Sequence, residues 1–139
     1  MRWSGGRSGR WHRAICDAAI GSDFQDIKRY KEFEVSPQNE WVELDINLHL
    51  PRHEEGWGWN SGFEHFSRVD KPSPTWYLAM RNPFPALGTP AACESNSFRV
   101  NFFRPEDPPD ATKEVMWRPT MNRTFHVPER SGVFKIVAH

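Results

Sequence analysis

The stretch Val42-Glu43-Leu44-Asp45-Ile46-Asn47-Leu48-His49-Leu50 decides the fold class. Val42, Leu44, Ile46, Leu48 and Leu50 alternate with Glu43, Asp45, Asn47 and His49. A period of two sends the two sets to opposite faces of a pleated strand, so the run reads as one long, half-buried β-strand. Just upstream, Tyr30–Val35 alternates in the same way, and Ser36-Pro37-Gln38-Asn39 supplies the turn between them. Downstream, Pro51, Gly56, Gly58, Gly62, Pro72 and Pro74 predict a loop over 51–74. Strands resume at Trp76–Met80, Phe98–Phe103, Val115–Trp117, Thr124–Val127 and Val133–Val137. Asn82-Pro83-Phe84-Pro85 ends the first of these, because a residue before proline is pushed to extended geometry. About six or seven short strands, turn signals between them and no long helix predict an all-β fold, a β-sandwich of short antiparallel strands.

Composition agrees and excludes several classes. The chain has 139 residues, enough for one small domain. Aromatics make up 14 % of it and prolines number 12, a balance that favours strands with proline-marked loops. Lys+Arg and Asp+Glu are both 18, so a net basic field for nucleic acid is absent. No run approaches the roughly 20 apolar residues of a membrane helix. Neither nucleic acid nor membrane is therefore an expected partner.

Residues 1–27 read differently. Arg2, Arg7, Arg10 and Arg13 precede the first acid, Asp17, with glycines between them. The reading is an Arg/Gly-rich leader, poorly ordered or with a short helix over 10–20, ahead of a domain at 28–139. Asp17 breaks the apolar run Ala14–Ile20, so no secretory signal is read. That leaves a cytoplasmic chain or a piece of a secreted protein. Two cysteines, Cys16 and Cys93, are too few for a disulfide framework, and nothing in the sequence says whether they pair.

Four constellations could carry chemistry. His49 and His53 are four apart, but Pro51 between them opposes the helix that would stack both rings on one metal. Glu43/Asp45 and Glu54/Glu55 are carboxylate pairs of the kind a glycosidase uses, although any solvated strand face shows such pairs. Trp57, Trp59, Phe63, Phe66, Trp117 and Phe125 lie among Asn, Arg, Glu and His. That mixture suits a sugar, with its apolar C–H face and polar rim, and it equally suits core filling. Asn122-Arg123-Thr124 is a glycosylation sequon, meaningful only in the secretory pathway, and a glycan there would crowd Phe125.

A family resemblance runs through several of these strands. Tyr30-Lys31-Glu32-Phe33-Glu34-Val35-Ser36-Pro37, Trp76–Phe84, Phe98-Arg99-Val100-Asn101-Phe102-Phe103-Arg104, Trp117-Arg118-Pro119-Thr120 and Phe125-His126-Val127-Pro128-Glu129-Arg130-Ser131-Gly132 occur in that order. Over about 28–137 the chain resembles family 9 carbohydrate-binding modules, in particular the stand-alone family 9-like sugar-binding proteins. The resemblance implies a non-catalytic β-sandwich that binds plant-type polysaccharide, xylan or glucan, or its ends, in the service of carbohydrate catabolism. It implies Phe125 as the ring that stacks on sugar, with Asn122, Asn101 and Glu34 as polar contacts, and Trp117 as a structural tryptophan. It implies no catalytic residue and no cofactor beyond a structural calcium held by loop oxygens.

The departures are specific. Ser131 stands where the family tends to have Phe. Residues 1–27 do not resemble the family's N-terminal half, which supplies early strands and a second stacking aromatic. The sandwich is therefore expected to be incomplete on its N-terminal side, with an exposed sheet edge open to self-association. The alternatives are a glycoside hydrolase fragment acting on O-glycosyl bonds, or a truncated product without stable function.

Overall fold

The computed structural model describes residues 15–51, 53–89, 96–105 and 114–137. Among them are eight strands: β1 (Cys16–Gly21), β2 (Arg29–Val35), β3 (Trp41–Asn47), β4 (Glu64–Asp70), β5 (Thr75–Arg81), β6 (Ser97–Pro105), β7 (Glu114–Met116) and β8 (Gly132–Lys135). The helical pieces are short 3-10 turns at His53–Gly58, Phe84–Leu87 and Pro128–Arg130. None is long and apolar enough to cross a membrane. The fold is all-β, with antiparallel pairing throughout, as the alternation predicts.

One sheet runs β3-β2-β1-β6, with β7 and β8 pairing on β6 beyond it; β4 and β5 form a separate ribbon. Val100 pairs with Ile20 on one side and Gly132 on the other, and Phe103 pairs with Asp17 and Met116. The two short strands thus share the outer edge of the long β6.

The sheet is covered on both faces. On one, Phe33, Leu87, Phe98 and Val100 form a buried cluster against Trp59, Phe63, Met80 and Phe84. The rings of Trp59 and Phe63 stand 5.8 and 5.1 Å from that of Phe33. On the other, Tyr30, Val42, Leu44 and Ile46 cluster with Trp57 and Leu48. Hence the polar set of β3 is not simply solvated. Glu43 is buried and accepts bonds from the Ser61 N–H (3.0 Å) and the Ser61 hydroxyl. Asp45 pairs with Lys31 at 2.6 Å.

Four expectations change. Cys16–Gly21 is neither leader nor helix: it is the strand between β2 and β6. Its residues, Cys-Asp-Ala-Ala-Ile-Gly, are too small to give a hydrophobic rhythm, so the pairing partners decide its conformation. The strand over 42–50 stops at Asn47, where the Leu50 N–H turns back onto the Asn47 carbonyl at 3.1 Å. The predicted loop 51–74 contains β4. Its apolar Phe66 and Val69 are exposed, while Ser67 is turned inward and accepts the Trp76 indole N–H at 2.7 Å. Finally, Thr124–Val127 is not a strand. The Val127 N–H donates to the Phe125 carbonyl at 2.7 Å and the His126 N–H to the Thr124 hydroxyl at 3.2 Å, local bonds that replace a ladder.

Candidate functional site

Register builds the site. Asp17 is opposite Glu34 and Ala19 opposite Glu32, so the three acids Asp17, Glu32 and Glu34 share one sheet face. Tyr30, two residues before Glu32, shares it too, and Asn101 and Phe103 join it from β6 through their pairing with Ala19 and Asp17.

The segment 118–131 lies over this face, held by two side chains. The Asn101 amide donates to the Arg118 carbonyl at 2.8 Å and accepts from the Arg118 N–H at 2.9 Å and the Phe102 N–H at 3.0 Å. The Arg99 guanidinium donates to the carbonyls of Pro128 and Glu129, each at 3.2 Å. These anchors set Phe125 against Phe103, with ring centroids 5.4 Å apart, and beside His126 at 4.2 Å. Tyr30 Oη and His126 Nδ1 share a hydrogen bond of 2.5 Å. Between strap and sheet is a shallow pocket open to solvent. Phe125, Phe103, Tyr30, Arg99, Asp23 and Ser131 are among its walls.

The acids beside the pocket are poorly compensated. One oxygen from each of Asp17, Glu32 and Glu34 falls within 4.8 Å of the others. Asp17 Oδ1 and Glu32 Oε2 are buried and accept no hydrogen bond. His126 Nδ1 is 4.0 Å from Glu32 Oε2. Burial, reinforced by the charge of Glu34, pushes the Glu32 carboxyl up to about 8. Burial likewise raises Glu34 to about 6 and holds Asp17 well above the usual carboxylate range, with Glu32 and Glu34 adding to the rise in Asp17. Burial also moves the Tyr30 phenol upward.

Of the four polysaccharide-contact candidates, Phe125 lines the pocket and Glu34 stands in the acidic cluster beside it. Asn101 is fully buried, and both ends of its amide are engaged by backbone. Asn122 is exposed, and its side-chain Oδ1 accepts the Arg123 N–H at 2.7 Å. Sequence reasoning did not single out Asp17, Glu32, Tyr30, Arg99 or His126. The Glu-x-Glu spacing of Glu32 and Glu34 on a strand was an available signal for a shared face.

The other constellations separate. His49 Nε2 binds Asp26 at 2.8 Å, whereas the side chains of His53, Glu54 and Glu55 lie outside the described residues. Cys16 is a free thiol, and Cys93 lies outside the described residues. Trp117 packs at 5.2 Å against Phe134 and at 6.1 Å against Phe102, on the outer side of β6 and β8.

No protein-family model matches the chain, and no curated protein does. Among solved structures it is similar to one from Bacteroides uniformis described as a "putative carbohydrate-binding protein". The two share 18 % identity and superpose with a TM-score of 0.62, covering 95 % of this chain and 65 % of that one. The likeness is one of fold.

Proposed function

We propose that this protein binds carbohydrate, without catalysing its cleavage, in the pocket beneath the 118–131 strap. The observation that carries the reading is the pairing of the Phe125 ring with a polar rim of Asp23, Arg99, Tyr30 and Ser131 in one depression. A pyranose needs that combination, since its C–H face packs on an aromatic ring and its hydroxyls need donors and acceptors at the edge. The shared fold with a protein described as carbohydrate-binding is in keeping with it, as is the resemblance of 28–137 to family 9 modules. That resemblance points to plant-type polysaccharide, xylan or glucan, or its ends. Glu43 and Asp45, occupied by Ser61 and Lys31, lend no support to a hydrolase.

Affinity electrophoresis in gels containing xylan or soluble β-glucan tests the reading. Retardation of the native chain is expected, with a roughly tenfold or greater loss of affinity in Phe125→Ala. No retardation of folded protein in any of these gels would exclude this ligand class. Full retention by Phe125→Ala would move the site elsewhere.

A further inference from the structure

We propose that Asp17, Glu32 and Glu34 form a site for one divalent cation of calcium size, held on the strands of the main sheet. The donor set is three carboxylates from two adjacent strands, fixed in register by the ladder between Asp17 and Glu34. All-oxygen donors select hard cations. Two oxygens each about 2.4 Å from a calcium ion stand at most about 4.8 Å apart. The three oxygens satisfy that limit pairwise.

A second observation points to a missing partner. Asp17 and Glu32 retain 4 % and 2 % of their surface, yet Asp17 Oδ1 and Glu32 Oε2 accept no hydrogen bond. Buried carboxylate oxygens are ordinarily paired or bound to metal, because an unpaired one loses its hydration for nothing. Among the described residues no Lys or Arg forms an ion pair with this cluster. His126 Nδ1 is 4.0 Å from Glu32 Oε2 and is already bonded to Tyr30. A cation would supply the counter-charge to all three carboxylates at once. Glu34, only half-buried, gives the open side through which water completes the coordination. These are strand residues, unlike the loop oxygens that the family resemblance implies, and the site does not depend on the carbohydrate reading.

The test uses the full chain, stripped with EDTA and dialysed, and follows thermal unfolding and titration calorimetry with CaCl2. Matched MgCl2 and NaCl arms separate ion size and ionic strength from binding. Calcium at millimolar concentration is expected to raise Tm by several degrees, with one ion bound per chain and a smaller effect of magnesium. Glu32→Gln preserves shape and removes one ligand charge. It is expected to fold at least as stably without metal and to lose the calcium response at least tenfold. Asp17→Asn repeats the comparison at the neighbouring strand, so a folding failure in one variant leaves the other decisive. Absence of any calcium effect on the folded native chain overturns the proposal. So does a calcium response that survives unchanged in either variant, because the ion then binds elsewhere.

Discussion

Asn101 connects the sheet to the strap above it. Its amide gives one bond and takes two, all with backbone groups, at zero exposure. Asn101→Ala leaves those groups without their partner, and each orphaned buried polar group costs about 1–3 kcal/mol. A loss of a few kcal/mol in urea unfolding is expected, together with weaker carbohydrate retention as the strap loosens. Unchanged stability would show that water or a neighbouring group replaces the amide. Gly132 marks a different constraint. A Cβ there would stand 2.4 Å from the Trp117 ring. Gly132→Ala must therefore displace the indole or bend β8, an overpacking cost of about 1–3 kcal/mol. Thermal unfolding measures it, and an altered tryptophan emission locates it at Trp117.

At the scale of elements, legibility followed hydrophobic rhythm. β2, β3 and β6 alternate apolar and polar residues and are readable from Tyr30, Val42–Ile46 and Phe98–Phe103, while β5 is readable as the apolar run Trp76–Met80. β4 inverts the rule, turning Ser67 in and Phe66 out: Ser67 bonds the Trp76 indole and the Pro37 carbonyl, and His65 on the same face packs against the rings of Trp41 and Phe63. β1 hides for another reason: Ala18 is buried between neighbours whose larger side chains supply the apolar bulk. Losing β1 from the reading also lost Asp17, and with it the acidic cluster. Phe125 and Glu34 were legible only through a family resemblance, since nothing local distinguishes them from core and surface residues. A direct consequence follows for the boundary at residue 28. A chain beginning there lacks the strand that joins β2 to β6, so its unfolding by heat should lose the sigmoidal transition expected of the full chain. A cooperative transition in the shortened chain would mean that β2 and β6 can close on each other without β1.

The whole molecule should report its buried acids through the pH dependence of stability. Glu32 is raised from 4.5 to about 8 and Glu34 to about 6, with burial as the chief cause, and Asp17 moves the same way. A raised carboxyl holds its proton in the folded state at a pH where the unfolded chain has released it. Between 4.5 and about 8 the native state therefore binds more protons, and stability falls as pH rises. Below that window both states are protonated and the contribution is fully present. Tyr30, on the same face, stays protonated throughout, because its phenol is shifted further upward. Asp23 has the opposite sign. The N–H groups of Asp26 and Gln25 lower its carboxyl, so its contribution is lost as pH falls. Metal-free protein should accordingly be most stable on the acid side of neutrality, with Tm declining from about pH 5 to about pH 8. Glu32→Gln cannot ionise and should flatten that decline. Calcium should flatten it too in the native chain, since the ion stabilises the ionised carboxylates and its binding strengthens as they lose protons. Thermal unfolding across that range in EDTA and in calcium measures both effects. A Tm that climbs steadily through the window in EDTA would mean that the three acids are ionised and compensated in the folded state, with neither proton nor cation required.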